Sequence, residues 1–287
     1  MIVVSDVDRT LVDAGGSEGE ACTSFFGWLA AVGVPYCFAT ARSYPSLEDV
    51  LPTSIKRASG AICSDGALSL ERVGNSAGMR VVRRVIFADI ETLNCDVGAS
   101  VSREMSKFVF LDDRSKYHVL MDPATKHAAS MGPILGTRPV TVQNLGSAID
   151  EKNVLSVGFL GSLAECQELA VEVARCGRKE WIVRVYEELR VHRRGLWWCD
   201  VSAQEADKAN AVQALLRSGL LTDVSGPLVV LADSDNDISL AEASDVAFSP
   251  PWSTAQLAEV TEQIPGVESC GEFITKVWER VGKLLGR

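Results

Sequence analysis

Short continuous apolar runs in this chain alternate with segments whose apolar residues recur every three or four positions. Ile2-Val3-Val4 is the first run, β-branched throughout, as suits a strand buried on both faces. Residues 20–32 follow with Phe25, Phe26, Leu29 and Val32 at helical spacing, and Gly33 marks the end of that helix. A second apolar strand is predicted over 34–39, a helix opened by Pro45 over 45–51, and a third short strand over 61–63. The same rhythm returns late in the chain: a helix over 206–218, the strand Leu228-Val229-Val230-Leu231, a helix over 238–243 and a strand over 245–248. The tail places Phe273, Ile274, Val277, Trp278, Val281, Leu284 and Leu285 on one helical face, which predicts core packing or a dimer contact. Strand and helix in strict alternation predict an α/β fold with a doubly wound, Rossmann-like parallel sheet and right-handed crossovers.

Between these halves the rhythm differs. Strands are predicted over 81–87, 107–111, 117–121, 154–160, 181–186 and 196–199, with helices over 89–105 and 163–176. Strand pairs joined by short connections and separated by helices suit an α+β unit on an antiparallel sheet. Residues 122–140, rich in Pro, Gly, Ser and Thr, receive no assignment. The predicted organisation is a core of residues 1–79 and 200–287, interrupted by an α+β domain over 80–199.

A length of 287 residues accommodates one large domain or two modest ones, and 47% apolar with 23% charged residues is ordinary for a globular protein with a full core. The formal net charge of -10 argues against a nucleic-acid partner. Eight cysteines are scattered without a C-x-x-C pair, which points to buried free thiols in a reducing compartment rather than to disulfides or zinc. The three histidines lack motif spacing. No basic leader precedes the first strand and no apolar run reaches membrane-spanning length, so a cytoplasmic protein without a membrane partner, monomeric or homodimeric, is expected.

The first strand ends on Asp6 and Asp8, and open α/β sheets bind their ligands at such carboxyl ends. Two neighbouring carboxylates repel unless a cation or a shared proton relieves them. Similar features follow the other core strands: Thr40 after the second, and Asp233, Asn236 and Asp237 after Leu231, with Lys208 on the preceding helix. Each has a plain structural reading, a helix cap for Thr40, a solvated helix residue for Lys208, a turn for the others. Their joint placement after buried strands is what suggests a site.

Taken in order, Asp6-Val7-Asp8-Arg9-Thr10, Thr40, Lys208 and Asp233-Ser234-Asp235-Asn236-Asp237 resemble the four motifs of the haloacid dehalogenase-like (HAD) phosphohydrolase superfamily. An insertion between the second and third motifs resembles its type-two capped, Cof-type and sucrose-phosphatase-like members. The resemblance implies a Mg²⁺-dependent phosphatase that hydrolyses a phosphate monoester of a sugar or similar small metabolite through an aspartyl-phosphate. It implies Asp6 as nucleophile, Asp8 as general acid and base, and Thr40 and Lys208 as catalytic donors to the phosphoryl group. Asp6, the backbone carbonyl of Asp8, Asp233 and Asp237 are the implied metal contacts. Thr10, Thr40, Arg42, Lys208 and Asn236 are the implied phosphate and substrate contacts, with Asn236 expected on Lys208 or on a phosphate oxygen. A phosphomutase and a non-catalytic metabolite-binding domain are the alternatives. The chain departs from the usual pattern at Arg9, where Gly is common, at Ala41, at Ser64-Asp65-Gly66, at Ala232 and at Ser249-Pro250-Pro251.

The insertion is expected to act as a lid. Its basic stretch holds Arg184, Arg190, His192, Arg193 and Arg194, either to recognise a second anionic or polyhydroxylated group, with Arg184 a substrate contact, or as a solvated edge. Trp197 and Trp198 are adjacent and face opposite sides of a strand, so at most one lines a cleft. Arg42 and Asp65 are expected near the entrance.

Overall fold

The computed structural model describes residues 1–13, 16–74, 78–87, 93, 105–113, 116–121, 140–141, 153–187, 195–218 and 226–286. The predicted helix over 89–105 and the unassigned 122–140 fall almost wholly outside these residues, as do Arg190, His192, Arg193 and Arg194. The chain divides into two compact units: Met1–Ala41, Leu47–Arg83 and Asp207–Arg287 form the first, Arg42–Ser46 and Arg84–Ala206 the second.

The first unit opens with β1 (Ile2–Ser5), α1 (Glu20–Ala31) and β2 (Tyr36–Ala39). Helix α2 (Tyr44–Val50), β3 (Gly60–Cys63), β4 (Leu68–Arg72) and β5 (Met79–Arg84) follow. Strand β4 escapes the apolar pattern because Ser69 and Glu71 are buried among its leucines. Glu71 is satisfied there by Arg80 and by the Ser218 hydroxyl at 2.6 Å. The strand predicted over 81–87 ends at Arg84 and forms an edge of the first sheet. Beyond it, Phe87 joins the core of the second unit, where its amide donates to the Val154 carbonyl at 2.8 Å.

The second unit holds β6 (Ser106–Asp113), β7 (Lys116–Met121), β8 (Val140–Thr141), β9 (Val154–Gly161), α3 (Leu163–Arg175), β10 (Trp181–Glu187) and β11 (Trp197–Ala203). Their sheet has the order β10-β11-β9-β6-β7-β8 and is antiparallel except for the β7–β8 pair. Ser162 caps α3 through a reciprocal capping box with Glu165, and Cys166, Leu169 and Val173 turn inward against Val157, Phe159, Cys199 and Val201. Residues 200–206 stand with this unit because β11 runs on to Ala203. Trp198 is fully buried against Phe108 and Phe110, while Trp197 on the other face is partly exposed.

The chain returns to the first unit with α4 (Lys208–Arg217), β12 (Leu228–Leu231), α5 (Ile238–Glu242), β13 (Val246–Ser249), α6 (Ala255–Ala258), β14 (Glu262–Gln263) and α7 (Cys270–Leu284). The first sheet has the order β14-β13-β12-β1-β2-β3-β4-β5 and is parallel from β14 to β3. Strand β1 therefore sits between β12 and β2, with Ile2 opposite Leu228 and Val4 opposite Cys37.

Both faces of this sheet are covered, as the unbroken apolar runs require. Ile2, Val4, Cys37, Ala39 and Ile62 pack with Ala211, Val212 and Leu215 of α4 and Leu240 of α5. The alternate residues meet α1: Phe26 lies 4.7 Å from Tyr36 and 5.0 Å from Phe38, ring centroid to ring centroid. The tail helix α7 joins the same layer through Trp278, 5.5 Å from Trp28 and 6.1 Å from Phe25, so its apolar face is used in the core. No helix among the described residues is long and apolar enough to cross a membrane.

Phe26→Ala removes the ring at the centre of that aromatic layer and is expected to cost about 3–5 kcal/mol of stability. Urea unfolding of the two proteins measures it, and a loss below about 1 kcal/mol would contradict the packing described.

Candidate active site

The site is built where β1 and β12 end side by side. The Asp6 amide donates to the Leu231 carbonyl at 2.8 Å, which keeps the two strands paired to their tips. Asp6 leaves the first tip, Asp233 the second, and Asp237 comes round on a 3₁₀ turn over Asp235–Asp237. Carboxylate oxygens of Asp6, Asp233 and Asp237 all lie within 4.8 Å of one another, and all three residues are buried. The Thr10 hydroxyl lies between two of them, 3.4 Å from Asp6 Oδ2 and 3.5 Å from Asp233 Oδ1. Asp8 is half-buried, and its carboxylate is not part of this trio. The chain folds back beside it, with an isolated bridge from Asp8 to Val12 and the Arg9 amide on the Val12 carbonyl at 2.8 Å.

Lys208 brings the positive charge. It is the first residue of α4, whose N-cap Asp207 accepts from the Asn210 amide at 3.0 Å. From there the fully buried Lys208 Nζ donates to Asp6 Oδ1 at 2.9 Å and to Asp237 Oδ1 at 2.6 Å. A fourth carboxylate, Asp65, stands 3.9 Å from the same nitrogen. Its amide donates to the Thr40 carbonyl at 3.1 Å, and it accepts from Asn236 Nδ2 at 2.9 Å. Asn236 thus meets Lys208 through Asp65, which is buried. Gly66 beside it has φ +97°, and a Cβ there would meet the Asp207 carbonyl oxygen at 2.3 Å. Only glycine allows the tip of β3 to press against the start of α4 and so hold Lys208 in place.

Thr40 is buried at the end of β2, its amide on the Ile62 carbonyl at 2.9 Å. Arg42 and Arg184 both belong to the second unit. The buried Arg42 donates to the Ser46 hydroxyl at 2.8 Å, and Arg184 donates to the Ser202 hydroxyl at 2.9 Å and the Ala206 carbonyl at 2.5 Å. Arg184 therefore fastens the end of β11 to β10. Within the first unit the structure brings together Asp6, Thr10, Lys208, Asp233 and Asp237, and adds Asp65.

Burial drives the electrostatics of this cluster. It raises the Asp6 carboxyl well above its ordinary range; Lys208 pulls the other way, while Asp237, Asp233 and Asp8 push up further. Asp237 is raised for the same leading reason. Asp233 is pushed up to about 7 by burial and by Asp237, against Arg9 and Lys208. Burial alone would lower Lys208, but Asp237, Asp6 and Asp65 outweigh it and hold the ammonium charged. One ammonium and the Arg9 guanidinium against four carboxylates leave the cluster short of positive charge. Asp237 Oδ2 is also buried with no hydrogen-bond partner among the described residues. An all-oxygen donor set with an orphaned, buried oxygen fits a hard divalent cation such as Mg²⁺.

No family model matches the chain, and no curated protein matches its sequence. Solved structures do match its fold. A haloacid dehalogenase-like hydrolase from Bacteroides thetaiotaomicron superposes with a TM-score of 0.74 at 13% identity, covering 98% of each chain. A haloacid dehalogenase-like hydrolase from B. subtilis gives 0.74 at 11% identity, covering 98% of this chain and 99% of that one. The fold is that of the haloacid dehalogenase-like hydrolases. A sugar phosphatase of HAD subclass IIB gives 0.71 at 14% identity, again over 98% of each chain. The coverage of 98% means that the likeness takes in the residues of both units.

The raised carboxyls have a measurable consequence in the metal-free protein. Asp233 binds its proton up to about pH 7 when folded, far above the carboxylate range of an unfolded chain, so folding is favoured at low pH and that advantage is lost as pH rises through about 7. The melting temperature in EDTA is expected to fall from pH 5.5 to pH 8, and Mg²⁺ to raise it more at pH 8 than at pH 5.5. A flat profile in EDTA would contradict the charge imbalance described.

Proposed function

We propose that this chain is a Mg²⁺-dependent phosphatase of the capped HAD type, acting on a phosphate monoester of a sugar or similar small metabolite. The observation that carries the reading is the convergence of the Asp6, Asp233 and Asp237 carboxylates at the carboxyl ends of β1 and β12, with Lys208 bonded to Asp6 and Asp237. Phosphate monoesters are inert enough that catalysis can amount to a rate factor approaching about 10²¹, and most of it must come from positioning and charge. Asp6, Asp233, Asp237 and the backbone carbonyl of Asp8 are the groups that would hold the cation. When bound, Mg²⁺ supplies charge against the phosphoryl oxygens and so lessens their repulsion of a carboxylate nucleophile.

The chain's own residues account for the remaining steps. Asp6 attacks phosphorus, forming an aspartyl-phosphate as the bond to the leaving oxygen breaks. Asp8 gives that oxygen its proton. It then takes a proton from water, which attacks the same phosphorus and releases inorganic phosphate and the Asp6 carboxylate. Lys208 and the hydroxyls of Thr10 and Thr40 stabilise the charge on the transferring group. Asp65 and Asn236 position Lys208.

Phosphate release from a panel of sugar phosphates and related metabolites, with Mg²⁺ and with EDTA, tests this. Release is expected only with Mg²⁺. Isomer formation without release would replace the phosphatase by a mutase, and no turnover across a broad panel would favour a non-catalytic binding domain. Asp6→Asn is expected to lower turnover by about a thousandfold or more while circular dichroism stays unchanged. Sustained activity in that variant would rule out the covalent route.

A further inference from the structure

Arg9 occupies the place between the second carboxylate and the threonine of the first motif, and three features of its setting are unusual. Its backbone is left-handed, φ 59°, a conformation that disfavours any residue with a Cβ and suits glycine. Its guanidinium turns inward: Nη1 stands 3.6 Å from Asp233 Oδ2, and Nη2 donates to the Trp252 carbonyl at 2.9 Å. Trp252 answers through its indole, Nε1 donating to the Arg9 carbonyl at 2.8 Å. The loop that carries Trp252 is itself tied to the site, because the Thr254 amide donates to the Asp233 carbonyl at 3.0 Å. Arg9 is thus held from both ends in a strained backbone, with its charge directed at a carboxylate of the candidate metal trio. Its side chain remains one-third exposed (33%), against 3% for Asp233, so it approaches from the solvent side.

We propose that Arg9 is a resident counter-ion for Asp233, which a divalent cation must oppose on binding, so that Arg9 sets the metal requirement of the site. This rests on the metal reading above. A cation held by Asp6, Asp233 and Asp237 would share Asp233 with the Arg9 guanidinium, and two like charges near one carboxylate repel. Arg9 keeps Asp233 ion-paired when no metal is bound and weakens metal binding by the same charge. Glycine in its place removes the charge and the side-chain support without straining the left-handed backbone, so the direction of the change in metal binding tells the two roles apart. If the arginine mattered only as a support for Asp233, its loss would weaken metal binding; as a competing charge, its loss strengthens it.

Calorimetric titration of Mg²⁺ into the protein, without substrate, decides between them. Arg9→Gly is expected to bind Mg²⁺ about tenfold more tightly, as removal of one nearby like charge implies. Arg9→Asn, neutral and tolerant of the left-handed region, is expected to move in the same direction, and Arg9→Lys to stay near the parent. Asp233→Asn, expected to abolish the binding heat, identifies the site. Unchanged or weaker binding in both neutral variants overturns the role given to Arg9 while leaving the metal site standing. A parent protein that binds no Mg²⁺ overturns the metal reading and this inference with it.

Discussion

Burying Lys208 is the constraint on which the rest of the site depends. An ammonium removed from water is tolerable only when carboxylates surround it closely, and here Asp6, Asp237 and Asp65 do so from three separate stretches of chain. Each must arrive from its own strand tip or turn, and each would be costly to bury without the lysine. The requirement is mutual, so the tips of β1, β3 and β12 and the start of α4 are held in one arrangement. The same arithmetic leaves the cluster with surplus negative charge, which makes it receptive to a cation rather than merely stable.

The pleat and order of the sheet explain why so much of this was legible in the sequence. A fully buried strand demands an unbroken apolar run, and such a run can only end abruptly, so Asp6 and Asp233 stand out where Val4 and Leu231 give way. The helix predicted over 206–218 is α4, and its Ala211, Val212 and Leu215 are the residues that pack against the sheet behind the lysine. The antiparallel character of the second unit followed from short connections alone.

What stayed hidden depends on contacts between residues distant in the chain. Asp65 is expected from the sequence only near the entrance, and its approach to Lys208 and Asn236 is what ties it to the charged network. Arg9 looks like an irregular letter in a motif until Trp252, far along the chain, is seen to grip it. Strand β4 is masked by the buried Glu71, whose partners Arg80 and Ser218 lie outside the local pattern. Arg184, attractive in sequence as part of a basic stretch, spends donors on Ser202 and Ala206. Local periodicity finds elements, but it does not find the partner that makes a buried polar group tolerable.

The pairing of β1 with β12 joins Ile2 to Leu228, far apart in the chain. A strand at the centre of the first sheet therefore lacks one neighbour until β12 has been made. During synthesis the second unit's strands, which pair among themselves, emerge complete before β12 does. Ile2, Val3 and Val4 must wait through that interval as an exposed, β-branched edge, the kind of surface that aggregates or recruits chaperones. Closing so long a loop is slow, and it makes the paired strand tips that carry Asp6 and Asp233 among the last features of the molecule to form.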